Sequence, residues 1–195
     1  MEELSSVAID DEKAGETIVD YLIEHGHTKI AEIGANLELS QTAILRHNGY
    51  LNSFKKHGIT PDERYYERAR FSYDSAYRAM KKLLEKNIEI TAVYAISDVM
   101  AIGAIRAILD KGLRVPEDIS ITGFDGSTLA EYYNPKIVSI RQPHKDMAAR
   151  SVELLFSMID LHKGSCHEII PFELTEGESV ARICLLYTSP SPRDA

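Results

Sequence analysis

The sequence predicts an α/β fold, a parallel sheet flanked by helices, and three observations carry that reading. Short runs rich in β-branched residues, such as Thr91–Ile96 and Ile119–Thr122, alternate with longer stretches of helical period. Glycines stand where helices should stop, at Gly26, Gly58 and Gly112. The stretch Val93–Asp125 holds two apolar strands, each ending in an acid, around a helix of small residues. Such alternation builds βαβ units with right-handed crossovers. In open α/β sheets ligands bind outside the carboxyl ends of the strands. Ser97, Asp98 and Asp125 stand at such ends and are candidate site residues.

The elements follow in order. Val7–Ile9 is a short strand ending at Asp10-Asp11. Residues 12–25 form a helix whose apolar face carries Ala14, Ile18, Tyr21 and Leu22. Lys29–Ile33 is a strand, 42–57 a helix, and Tyr65–Phe71 a strand. The helix 74–86 has Ala76, Met80, Leu83 and Leu84 on one face. Thr91–Ile96 is a strand, and Asp98 is read as the N-cap of the helix 99–111. Ile119–Thr122 and Ile137–Ile140 are further strands, with a loop or short helix at 126–136. The helix 144–162 is apolar nearly all round, so burial on more than one side is expected. A strand region at Glu168–Leu174 supplies little cover for it.

Composition bounds the function. The 195 residues suffice for one sizeable domain or two interleaved lobes. A net charge of −8 argues against a large basic footprint for nucleic acid in this chain. Cys166 and Cys184 form neither a metal-type spacing nor a CxxC pair, which fits a reducing cytoplasm. The acidic start MEELSSVAIDDEKAG is not an export signal. No stretch approaches the roughly 18 apolar residues of a membrane span. His25 and His27 flank a glycine turn and are read as structural. No metal or cofactor is expected, and no phosphate loop or nucleophile elbow points to an enzyme. The end Cys184–Asp194 back-translates to a transposon-type library adaptor, so 184–195 is read as a non-native tail; a Ser/Pro-rich tail is the alternative.

An ordered set of motifs now matters. Val7-Ala8-Ile9-Asp10-Asp11, Gly26-His27, Arg46 with Gly49-Tyr50, Ser97-Asp98, Val115-Pro116-Glu117-Asp118-Ile119-Ser120, Gly123-Phe124-Asp125 and Arg141-Gln142-Pro143 occur in sequence. In this order they resemble the effector-binding core of the LacI/GalR family of bacterial transcription regulators. The resemblance implies a periplasmic-binding-protein-like type I fold, here mostly the C-terminal lobe plus a remnant of the N-terminal lobe. It assigns 7–143 and 171–183 to the C-terminal lobe and 144–170 to part of the N-terminal lobe. It also implies that the DNA-binding headpiece is absent and the chain truncated. Ser97 stands where the family often has Asn, and Gly126 where a second acid is common; both bear on which effector is bound.

The resemblance implies a small-molecule effector, a carbohydrate or its derivative, held between the lobes to control operator DNA. Arg46 would reach a ligand hydroxyl or carboxylate through its fork of donors. Asp125 would accept from sugar hydroxyls, and Phe71 would stack on a sugar face. Asp10, Ser97 and Asp98 complete the ligand set. The bland alternatives are an ion pair for Arg46, a turn or cap for Asp125 and Asp98, and core packing for Phe71. Met100, Ile102, Ile105, Arg106 and Tyr133 would form the contact of a homodimer; their alternative is intramolecular core. DNA would be bound only through the absent headpiece, in the cytoplasm and with no membrane partner. A periplasmic-type sugar-binding protein of the same fold is the alternative function.

Overall fold

The computed structural model describes residues 5–38, 40–161 and 165–183. The chain opens with β1 (Ser6–Ala8), α1 (Asp11–Glu24), β2 (Ile30–Gly34) and α2 (Gln41–Lys56). A 3-10 turn at Glu63–Tyr65 leads into β3 (Tyr66–Arg68). Then come α3 (Tyr73–Glu85), β4 (Ala92–Ala95), α4 (Asp98–Asp110), β5 (Ser120–Asp125), α5 (Thr128–Tyr132) and β6 (Val138–Arg141). The chain continues with α6 (His144–Leu161), β7 (His167–Ile169) and β8 (Glu173–Thr175).

Among the described residues the larger sheet has six strands, in the order β3-β2-β4-β5-β6-β8. All neighbours pair in parallel except β6 and β8. This is the expected α/β architecture. Its inner strands are continuously buried: every residue of β2 and β4 is inside, as strands covered on both faces must be. Helices α1 and α2 pack together, as do α3 and α4. Alternation along β5 shows that the two pairs lie on opposite faces. Phe124 lies under the Arg46 guanidinium of α2, whereas a Cβ on Gly123 would meet Asp98 of α4 at 2.3 Å.

Local chemistry sets the helix limits. Ser40, Ser72 and Ser97 each cap a helix by accepting from a backbone N–H three residues on. Gly26, Gly58 and Gly112 take positive φ just after α1, α2 and α4, where a side chain would be strained. The outer edge at β3 is short. The Lys86 ammonium covers it, donating to the Arg64 and Tyr66 carbonyls at 2.8 and 3.3 Å.

Several expectations are corrected. The helix after β4 begins at Asp98 with Ser97 as its cap, so Asp98 is not the N-cap. The expected strand Tyr65–Phe71 shrinks to Tyr66–Arg68, leaving Phe71 beyond it. The region Glu168–Leu174 is two strands in two different sheets, because β7 pairs with β1 and β8 with β6. Val7 and Ala8 lie in that small parallel sheet of β1 and β7, so the sheet boundary falls after them. The tail 184–195 lies outside the described residues.

Helix α6 packs on β1, yet Val152, Leu155, Phe156 and Ile159 remain exposed on it, as does Ile169 of β7. Val152, Leu155, Phe156 and Ile159 lie at helical spacing and form one apolar face of α6.

Candidate site at the carboxyl ends of the strands

The strand order reverses at β2, which is flanked by β3 on one side and β4 on the other. A crevice opens at such a switch point, beyond the carboxyl ends of the strands. Arg46, on the second turn of α2, reaches into this region. It is only 4% exposed. Its Nε donates to Asp11 Oδ1 at 2.8 Å and its Nη1 to the Ile96 carbonyl at 2.6 Å. The same Nη1 lies 3.6 Å from Asp125 Oδ1. The guanidinium carbon sits 3.5 Å from the centre of the Phe124 ring, a cation–π contact.

Asp125 ends β5 with φ +110°, a conformation that L side chains rarely adopt. Gln142 holds it there. The Gln142 backbone N–H donates to the Asp125 carbonyl at 3.2 Å, and its Nε2 donates to Asp125 Oδ1 at 2.8 Å. Strain of this kind costs about 1–3 kcal/mol and gathers at functional sites. Burial pushes the Asp125 carboxyl up from 3.8 to about 6, although the Arg46 charge pulls it down.

Asp98 is buried and both its oxygens are engaged by the protein. Oδ1 accepts from Ser139 Oγ and Oδ2 from the Ser127 N–H, each at 2.6 Å. Burial raises its pKa, and these donors lower it. Asp98 thus ties α4 to the loop after Asp125. Ser97 is buried and its Oγ accepts from the Met100 N–H.

The structure therefore brings Arg46 and Asp125 together and leaves other expected residues apart. Asp10 is exposed and caps α1, accepting from the Lys13 N–H at 2.9 Å. Its neighbour Asp11 meets Arg46 instead. Phe71 is 50% exposed in the turn between β3 and α3. Gln142, Asp11, Ser127 and Ser139 were missed; the pair Asp10-Asp11 and the run Arg141-Gln142-Pro143 were the only signals. Among the described residues no group of three His, Cys, Asp or Glu side chains is placed to hold a metal. His27 is structural: its Nε2 bonds the Ala181 carbonyl at 3.0 Å and pins the last segment to the sheet.

The expected dimer residues divide. Met100 and Ile105 are fully buried and belong to the core, which corrects their assignment to a surface. Ile102 is almost buried, and Arg106 pairs with Asp110 on the exposed side of α4 at 2.8 Å. Ile102, Arg106 and the half-buried Tyr133 line one depression with Tyr73 and Tyr77.

The raised pKa of Asp125 makes stability depend on pH. The fold disfavours the charged form, so the stability Asp125 allows is fully present below about pH 4. It is lost as pH rises through about 6. With solvent screening of a partly exposed group, the penalty at pH 7 is on the order of 1–2 kcal/mol. Asp125→Asn should therefore raise urea stability by about 1 kcal/mol at pH 7 and change it little at pH 4. A variant less stable than the parent at pH 7 would show that the Arg46 pairing outweighs burial.

Comparison with known proteins supplies the class. A periplasmic binding protein-like domain model matches residues 19–180. The chain is 41% identical over 179 residues to the HTH-type transcriptional regulator MalR of Clostridium butyricum, covering 92% of this chain and 53% of that protein. It is 35% identical over 173 residues to the HTH-type transcriptional repressor CytR of Escherichia coli strain K12, covering 88% and 50%. It superposes on the transcriptional regulator CelR–cellobiose complex with a TM-score of 0.87 and 33% identity, covering 91% of this chain and 54% of that one. The fold is that of a periplasmic-binding-protein-like domain. The chain belongs to the LacI family of transcriptional regulators and spans about half the length of the curated relatives it matches.

Proposed function

We propose that this chain is part of the effector-sensing core of a LacI-type repressor or activator, which binds a sugar or sugar derivative to control operator DNA. The single observation that carries this is the buried Arg46 aimed at the strained carboxylate Asp125. A fork of donors beside a carboxylate suits a polyol, whose hydroxyls both donate and accept. Arg46 and Asp125 are the central polar contacts; Ser97, Asp10 and the exposed Phe71 ring are further contacts at the rim of the crevice. Asp98 serves this set through the loop it holds. The relation to a regulator solved with cellobiose supports a carbohydrate.

In this reading the six-stranded sheet is one lobe, and α6 with β1 and β7 is part of the other. The ligand biases the angle between lobes through its different affinity for open and closed arrangements. Gln142 is well placed to pass this on, since it grips Asp125 just before the chain enters α6. The protein acts in the cytoplasm as a homodimer through the face bearing Ile102, Arg106 and Tyr133, and turns over no substrate. Among the described residues no helix is long and apolar enough to cross a membrane.

The test is thermal melting of the complete regulator with a panel of mono- and disaccharides. At least one sugar should raise the midpoint, since a ligand at 100 times Kd adds about 2.7 kcal/mol. Arg46→Met should abolish the shift. A panel in which no sugar shifts the midpoint, or a shift unchanged in Arg46→Met, would sink the carbohydrate reading.

A further inference from the structure

A second cavity of about 550 Å³ lies away from the crevice, in the groove between α2 and the edge strand β3. Its walls include Leu37, His47, Leu51, Pro61, Tyr66 and Arg68. Its size is that of a small-molecule site.

The polar groups here have an unusual support. Glu32 is a fully buried acid in the middle of β2. Its Oε2 accepts from His47 Nδ1 at 2.7 Å, and its Oε1 has no hydrogen-bond partner among the described residues. Burying a carboxylate is costly, and an apolar residue would serve packing as well or better. The pairing does one specific thing: it holds His47 Nδ1–H on Glu32 and favours the imidazolium, whose Nε2–H is then free to donate to an anion in the groove. Burial works against the His47 charge, but the bond to Glu32 prevails and raises its pKa.

Register brings Arg68 to the same place. Tyr66 is the cross-strand neighbour of Glu32, and Arg68 that of Gly34. Residues two apart on a strand share a face, so Tyr66 and Arg68 both face α2, about 7 Å apart along β3. The His47 ring lies 5.0 Å from the Tyr66 ring. The acids of the groove sit at the other end of β3, where Asp62 is held by Arg64 and Glu63 follows it.

We propose that this groove is a second small-molecule site, for an organic acid whose carboxylate lies between His47 Nε2 and the Arg68 guanidinium and whose apolar body lies along Leu37, Leu51 and Tyr66.

Benzoate is the probe, with benzamide as its uncharged counterpart, in saturation-transfer NMR on the full 195-residue chain at pH 7. Benzoate ring protons should receive saturation, and benzamide should bind about tenfold more weakly. Arg68→Gln, an exposed change that leaves the core intact, should weaken benzoate about tenfold, and His47→Gln should do the same. Asp125→Asn should leave benzoate binding unchanged, which separates this site from the crevice. No transfer at about 10 mM benzoate would overturn the proposal. So would equal affinity in Arg68→Gln, or loss in Asp125→Asn. None of these outcomes bears on the sugar panel.

Discussion

Arg46→Met should cost this chain about 3–5 kcal/mol of stability, the range for breaking a buried ion pair from one side. The magnitude follows from what Arg46 leaves behind. Methionine keeps much of the aliphatic bulk, so packing loss is small. The Asp11 carboxylate loses the donor at 2.8 Å, the Ile96 carbonyl loses its donor at 2.6 Å, and Asp125 loses its nearest cation. Surface ion pairs are worth a fraction of this, so the size of the effect reports burial. Urea unfolding at pH 7 measures it. Adding Asp125→Asn to Arg46→Met should recover part of the loss, since one stranded charge is then gone. A single-variant cost below about 1 kcal/mol would mean that water reaches these carboxylates and the site is open.

Gly49→Ala is the other large effect, and two forces oppose each other in it. Helix propensity favours alanine over glycine by about 1 kcal/mol in a helix interior. Sterics oppose it far more strongly. A Cβ at Gly49 would lie 2.3 Å from the Glu12 carbonyl oxygen and 2.5 Å from the Glu16 nitrogen, both backbone atoms of α1. Gly15 makes the reciprocal approach, where a Cβ would meet the Arg46 carbonyl oxygen at 2.7 Å. The two helices touch backbone to backbone and cannot yield by moving a side chain. Overpacking of this kind costs about 3 kcal/mol, so a net loss of about 2 kcal/mol or more is expected. The shift of α2 also moves Arg46, so under the proposed function the sugar-induced melting shift should shrink as well. Urea unfolding giving a neutral or stabilised variant would show that the helix contact is looser than these distances state.

Much of the fold was legible because its causes are local. The 3.6 period, the capping serines and the helix-ending glycines act within a few residues. Helix limits read from them hold to within one or two positions. The exceptions are equally local in scale but not in cause. Ser97 and Asp98 are both good caps, and only the position of the Asp98 side chain between Ser127 and Ser139 decides that Ser97 takes the role. Two short strands joined by Ile170–Phe172 look like one until their partners are known.

The candidate site was legible at Arg46 and Asp125 and not at their supports. Arg46 and Asp125 could be named from motif and strand end. That Asp11 and not Asp10 meets Arg46, and that Gln142 clamps Asp125, depends on pairings across 35 and 17 positions. The same holds for the burial of Met100 and Ile105, which an amphipathic pattern leaves open between a core and a partner surface. The sequence by itself determined the alternation of strands and helices, the caps and the acids at the strand ends, because propensity and periodicity are properties of neighbours. Only the tertiary structure decided which acid pairs with Arg46, why Gly15 and Gly49 must be glycines, and that Glu32 lies sealed behind His47. Those depend on distances between elements far apart in the chain, and no local pattern encodes them.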